Sequence, residues 1–408
     1  MNVYTPAANA VKIRISHYPS VAALPTLAQR LLSDQALRNP FVSLEWLQCF
    51  ERHLVRPHER IFYLVAASED ETRCVLPLIL ERLRWPGATK LRSLSNFYTG
   101  IFEVSGSERV LTDSEVLRSF ASAFAEYLSV EFFQCPLIEC SPVRDRYGLL
   151  GQVFEALGSQ GYATRSFFAH GNWYEDTRGL DYPSYLAARP GRVRSTLARQ
   201  HRKLLRDRGY SVDIGDTAEA LGNLFPAYEM IYRASWKTAE RSPLFLREVM
   251  MALAARGLVR LGVLTVSGVP AAAQLWIKAA KVWCVFKLAY DPEFVRYSVG
   301  SLLTARMVEH FFAEDEFDGI DFLSGDDPYK KEWVYQRREH LGLEAINRKS
   351  LLGLLLLAKR VVSGVSMEQG SGRRGRLRRG VAAASRNSWW RQGKQAGQAA
   401  LGTIGTLL

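Results

Sequence analysis

Long apolar runs, paired cysteines and paired histidines are what this sequence lacks. No apolar run approaches the roughly 20 residues that cross a bilayer; the longest late one, residues 351–358, is far too short. Residues 1–16 hold no apolar core of signal-peptide type, so no secretory signal is expected. The five cysteines (Cys49, Cys74, Cys135, Cys140, Cys284) are odd in number, scattered and set mostly in apolar runs. That pattern points to buried, reduced thiols in a cytoplasmic protein. Cys135 and Cys140 have no second pair and no nearby histidine, so no zinc site, and no metal of any kind, is expected. The seven histidines show neither H-x-x-x-H nor H-x-x-E spacing. No Gly-x-Ser-x-Gly elbow of a hydrolase stands out, and no Gly-x-x-x-x-Gly-Lys phosphate loop appears.

Positive charge is concentrated in one region. The net charge is +12, but residues 349–408 carry eleven Lys and Arg against a single acid, Glu368, and so account for +10 of it. The body is nearly neutral, and a DNA partner is not expected. Residues 370–380 are Gly- and Arg-rich without hydrophobic period and read as disordered. The apolar run 351–357, the arginine cluster and Trp389-Trp390-Arg391 together fit a peripheral membrane contact through the tail. A solvated extension is the alternative.

What is present is a globular composition, 48% hydrophobic and 23% charged, over 408 residues, enough for two domains. Residues 41–53 carry Phe41, Leu44, Leu47 and Phe50 at helical spacing. Residues 61–67 and 74–84 read as a hairpin closed by an acidic turn at 68–72, and 91–98 as a further strand. A helix is predicted at 113–129, opened by a capping box of Thr112 and Glu115, and a short strand at 136–140. The second half repeats the order. It has helices at 191–209, 224–236 and 243–256, strands at 259–266, 271–279 and 282–290, a loop at 291–299, a helix at 300–314, and strands at 319–323 and 341–347. The strand at 319–323 is expected to run parallel to the one before it, because a helix separates them. Domain bounds of 1–175, 176–348 and a basic tail 349–408 follow. The fold class is α/β (α+β), in tandem halves, each a mixed, mostly antiparallel sheet flanked by helices.

Three constellations carry chemistry. The loop through Arg296, Tyr297, Ser298, Val299, Gly300 and Ser301 joins a strand to a helix N-terminus, where free N–H groups and the helix dipole favour a pyrophosphate. An ordinary strand-to-helix turn is the alternative. Asp326, Asp327, Tyr329 and Lys330 gather two carboxylates, a phenol and an ammonium past a strand's C-terminal end, where open sheets bind ligands. The same Gly-Asp-Asp-Pro run also serves as a turn and helix cap. The helix at 191–209 carries seven cations with an apolar stripe of Val193, Leu197 and Leu204, which suits CoA phosphates, an anionic acceptor or plain solvation.

The residues then look familiar. Residues 182–334 resemble the GNAT-type acetyltransferase domain of the CelD/BcsL family, associated in some bacteria with cellulose biosynthesis. The resemblance lies in Arg194-Ser195-Thr196-Leu197, Tyr232-Arg233-Ala234-Ser235-Trp236, Ala271-Ala272-Ala273-Gln274-Leu275, Tyr297-Ser298-Val299-Gly300-Ser301 and Phe322-Leu323-Ser324-Gly325-Asp326-Asp327-Pro328-Tyr329-Lys330. Two departures stand out: the phosphate loop has Gly300 alone, and Asp327 stands where the family often has Glu. Nothing like the 297–301 loop precedes the helix of the first half, which is therefore expected to be non-catalytic. Tandem GNAT halves are also the plan of the FemABX aminoacyltransferases. The resemblance implies transfer from acetyl-CoA, or a longer acyl-CoA, to an amine acceptor. Residues 296–301 would hold the co-substrate, and Trp236, Gln274, Asp326 and Lys330 the acceptor. Asp327, Tyr329 and Asp291 would supply acid–base chemistry. The rivals are aminoacyl transfer from charged tRNA and a non-catalytic role at the membrane surface.

Overall fold

The computed structural model describes residues 12–69, 73–83, 87–314 and 316–362. They fall into two compact units, one running to His170 and again from Glu339, the other spanning Gly171–Arg338. The basic segment beyond residue 362, with Trp389 and Trp390, lies outside the described residues, as do residues 1–11 and 70–72 of the acidic turn.

The first unit opens with β1 (Ile13–Tyr18), α1 (Thr26–Gln35) and α2 (Leu44–Leu54), followed by β2 (Arg60–Ser68), β3 (Arg73–Arg82) and β4 (Thr89–Ser93). Then come β5 (Ser105–Gly106), α3 (Glu108–Thr112), α4 (Ser114–Glu131), β6 (Leu137–Val143), α5 (Leu149–Ser159) and the start of β7 (Tyr162–Asp176). β1 to β4 form an antiparallel meander, and β6, reached through α4, runs parallel to β4. α4 packs Val116, Phe120, Phe124 and Leu128 inward, one per turn, against Leu64, Leu76 and Leu78 of β2 and β3. The predicted capping box is corrected here. Asp113, not Thr112, is the N-cap, its carboxylate accepting from the N–H groups of Glu115 and Val116 at 2.9 and 3.2 Å. Thr112 closes α3 instead. The predicted helix at 41–53 starts at Leu44, because Pro40–Val42 forms a separate 3-10 turn and Ser43 caps α2.

The second unit contains the end of β7, then α6 (Tyr182–Ala187), α7 (Gly191–Asp207), β8 (Tyr210–Gly215), α8 (Ala218–Ala234) and α9 (Pro243–Ala254). β9 (Val259–Val266), β10 (Val269–Ala279), β11 (Val282–Tyr290), α10 (Val299–Glu314) and β12 (Gly319–Ser324) follow. The strand order is β7-β12-β11-β10-β9-β8. β11 and β12 are parallel, as expected from the helix between them, and the other pairs in this unit are antiparallel. α10 buries Val299, Leu302, Leu303, Met307, Val308 and Phe311, and Phe311 stacks on Trp283 of β11 at 4.4 Å. α7 buries Val193, Leu197 and Leu204, as its stripe predicts, and Gln200 with them. Arg189 is buried too, paired with Glu175 and held between the rings of Tyr185 and Tyr335.

The chain returns to the first unit along β13 (Gln336–Asn347), whose residues 341–346 pair antiparallel with β6, and ends its described part in α11 (Leu351–Val362).

Candidate active site

The site is built on a strand that loses its neighbour. β11 pairs with β12 over only three positions: Val282 with Gly319, Trp283 with Ile320 and Cys284 with Asp321. β11 continues to Tyr290, and β12 turns away, bulged against β7 between Asp321 and Ser324 with Leu323 at φ +49°. A buried network fixes that turn. The Asp321 carboxylate accepts from Leu323 N–H at 2.6 Å, Asn172 Nδ2 at 2.5 Å and Arg338 at 2.6 Å. Asn172 also donates to Leu323 O at 3.1 Å. The result is an open edge of β11: from Val285 onward no strand among the described residues pairs with that side.

A second irregularity re-aims the side chains. Leu275 pairs with Lys287 but Trp276 pairs with Val285, so Phe286 is an extra residue on β11. Adjacent residues of β10 face opposite ways, so Val285 and Lys287 do too. Val285 joins the core beneath α10. Lys287 goes to the other face, where it meets Glu240 at 2.9 Å and lies 5.7 Å from the centre of the Tyr232 ring.

The strand then feeds the predicted loop. Asp291 caps a 3-10 turn, Pro292–Tyr297, its carboxylate accepting from Glu293 N–H at 2.9 Å. Ser298 is left-handed, at φ 51° and ψ 40°, and α10 starts at Val299. A left-handed residue after a right-handed turn aims successive N–H groups at one point, an anion nest. The first in-helix bond is from Leu302 N–H to Ser298 O at 3.0 Å, so the N–H groups of Val299, Gly300 and Ser301 precede it. Gly300 lies close to Tyr290: a Cβ there would sit 3.2 Å from Cδ1 of the ring, which would have to give by a few tenths of an ångström. Arg296 is exposed and lies 4.8 Å from the buried Tyr297 ring, and Lys203 of α7 lies 5.2 Å from it. The loop thus has two cations beside it.

Gln274 is buried and braces this turn. Its amide donates to Gly300 O at 3.1 Å and Thr304 Oγ1 at 2.7 Å, and its oxygen accepts from Trp276 Nε1 at 3.0 Å. Trp236 is exposed and stands 4.4 Å from the Tyr290 ring, at the mouth of the open edge. Lys330 is buried. Its ammonium donates to Phe322 O and Ser324 O at 2.9 and 2.6 Å and lies 3.5 Å from Asp327. Burial lowers its pKa, with Asp327 opposing. Asp326 is held by Arg337 at 2.7 and 2.9 Å and by Trp173 Nε1 at 3.0 Å, and its pKa is lowered chiefly by Arg337. Asp327 is exposed. Desolvation, and then the Asp327 charge, push the Tyr329 phenol upward, so it stays protonated at neutral pH.

Composition and motifs gave no signal for Lys237. It is partly buried, and its ammonium lies near the rings of Tyr232 and Trp236, at 6.0 and 5.8 Å. Its pKa is lowered to about 8, first by desolvation and next by Lys287, with Asp327 opposing. Burial likewise lowers Lys287. Lys237 therefore links the loop after α8, the re-aimed Lys287 and the Asp327 turn. A cavity of about 420 Å³, lined by residues such as His201, Tyr210 and Arg306, contains none of the predicted site residues.

Residues 191–331 match the family model described as the acetyltransferase (GNAT) domain. Among solved structures, FemX matches with a TM-score of 0.56 at 12% identity, over 83% of this chain and 99% of that one. The C-terminal DUF2156 domain of a protein assigned as a lysylphosphatidylglycerol synthetase, from Agrobacterium fabrum, matches with a TM-score of 0.50 at 10% identity, over 85% and 97%. Identities this low speak to the fold alone. A comparison with curated proteins returns no match. The matched residues lie within the second unit, and a domain of that description is a transferase that implies an acyl-CoA co-substrate and an amine acceptor in general. Among the described residues, no helix is long and apolar enough to cross a membrane.

Proposed function

We propose that the protein is an N-acyltransferase, of the kind its CelD/BcsL resemblance implies, moving an acetyl or longer acyl group from acyl-CoA to an amine. The observation that carries this is the open edge of β11 running directly into the nest at the start of α10. The nest suits the pyrophosphate, with Arg296 and Lys203 adding charge. The open edge offers backbone N–H groups to polarise the thioester carbonyl, a donor arrangement that gains strength as charge develops on the oxygen.

The amine must lose a proton, attack the thioester carbon and displace the thiolate, which then takes a proton. Asp327, exposed at the turn past the end of β12, is the proposed proton acceptor. Tyr329, kept protonated by its surroundings, is the proposed donor to the leaving sulfur. Trp236 would flank the acceptor. Asp291, Gln274, Asp326 and Lys330 are engaged in capping, bracing and ion-pairing, so their proposed part is to hold the loop and the turn in place.

The test is turnover of acetyl-CoA and longer acyl-CoAs with a panel of amines, following free thiol release. Asp327→Asn and Tyr329→Phe are expected to fold, bind CoA and lose most turnover. Full turnover in both would refute the acid–base assignment. Stabilisation by charged tRNA with no response to any CoA would refute the acyl-CoA reading in favour of aminoacyl transfer.

A further inference from the structure

Helix α11 turns two unlike faces to its surroundings. On the inner side, Gly353 lies against the chain: a Cβ there would come within 1.8 Å of Asn347 O. Arg360 reaches Glu344 at 2.5 Å, and the same buried carboxylate accepts from Arg165 at 2.7 Å. These contacts fix the roll of the helix. The outer side is apolar. Leu351, Leu354, Leu355, Ala358 and Val362 are exposed, at 75%, 50% and 46% for the leucines and 88% for the valine. Their spacing of three, four, seven and eleven residues from Leu351 is a single helical stripe. Lys359 is exposed at its border. Among the described residues, nothing packs over this outward stripe of a helix whose other face is anchored.

We infer that this stripe lies in the surface of an anionic lipid bilayer. Twelve residues at 1.5 Å each are too short to cross a hydrocarbon core, so the helix would lie in the plane of the interface. Charge selects the occupant. Arg373, Arg374, Arg376, Arg378 and Arg379 follow in the sequence, and residues 349–408 hold one acid among eleven bases. A bilayer with acidic headgroups offers an apolar layer and negative charge together. A second copy of this chain would bring an equal positive segment against the first. The inference concerns a contact, and it stands or falls apart from the acyl-transfer reading.

The experiment is flotation of the full chain with vesicles of phosphatidylcholine alone and with 30% phosphatidylglycerol, alongside light scattering without lipid. The expected result is binding to the acidic vesicles, weakened by 0.5 M salt, and a monomer in solution. Leu354→Glu with Leu355→Glu should cut the bound fraction roughly tenfold or more with an unchanged melting curve, because both side chains are exposed. Changing the five arginines at 373–379 to Gln should remove the salt-dependent part. Binding that the leucine pair leaves intact would overturn the proposal. So would equal binding to neutral vesicles, or a dimer that the leucine pair abolishes. The failure of any vesicle to bind would overturn it as well, and would leave the protein's own tail as the cover.

Discussion

The two units share one scheme and finish it differently. In each, an antiparallel run of strands ends in a parallel pair reached through a helix, and in each the parallel pair has three register positions. In the first unit the space beyond those positions is closed. Ser95 Oγ donates to Ser141 O at 2.7 Å, and Ser141 N–H donates to Ser93 Oγ at 3.1 Å. The polar side chains of β4 are spent on ion pairs, Lys90 with Glu139 and Arg92 with Glu81, both at 2.7 Å. The crossover helix α4 has its own carboxylate, Asp113, at its N-terminus, and the bonds from Val116 and Glu115 lower that group's pKa. In the second unit the corresponding edge of β11 stays open. The crossover helix α10 begins at a left-handed serine rather than an acid. The same topology therefore makes a sealed joint once and a receptive one once. This difference supports placing the acyl-CoA in the second unit, and it says what would convert one into the other.

The largest expected effect comes from the network that keeps the second gap open. Asp321→Ala leaves Arg338 with Asn172 and the Tyr174 ring only and frees the Leu323 turn, and should cost about 3 kcal/mol of stability, measured by denaturant midpoint. A loss below about 1 kcal/mol would mean that the turn does not depend on Asp321. Next is the helix start. Ser298→Asp copies the first unit's arrangement onto α10 and should weaken CoA roughly a hundredfold, since a carboxylate would sit where the pyrophosphate is proposed. Asp113→Ser is the reverse change and should leave CoA affinity untouched. Calorimetry on the two variants separates a ligand site from an ordinary helix terminus.

The smallest effect is the most diagnostic for pH. Lys237 has a folded pKa of about 8, below its usual 10.5. Below pH 8 it is charged in both states, and folding bears the full cost of burying the charge. Between about pH 8 and 10.5 the unfolded chain holds the extra proton, so stability from this group rises with pH. Lys237→Met should therefore stabilise the protein by about 2 kcal/mol at pH 7, with the gain shrinking above pH 8. Any step in the transfer rate near pH 8 should vanish in the same variant if this amine faces the acceptor.

Periodicity made most of the second unit legible. β9 and β11 end where the sequence pattern puts them, and α10 and β12 agree within a residue. The loop and the acidic turn were found by composition and by their place after strands. Other features were hidden for identifiable reasons. β7 mixes Arg165, His170 and Asn172 into its run and shows no alternation. Lys287 sits two residues from Val285, and simple alternation puts both on one face; only the extra residue Phe286 separates them. Lys237 follows Trp236 in a loop, and its low pKa arises from burial first and then from Lys287 and Lys330 on two other segments. Gly300 is visible in the sequence, but the proposed anion nest depends on the left-handed Ser298. A serine carries no sequence mark of that conformation.

The half-paired state of β11 has a consequence for how its amides exchange with solvent. Along residues 287–290, past the extra Phe286, the N–H groups alternate between β10 and the open edge. Those bonded to β10 open only with the sheet, whereas those facing the gap exchange without any unfolding. Deuterium labelling should therefore take up one class of amides quickly and the other slowly along a single strand. A ligand seated against that edge would slow the fast class alone.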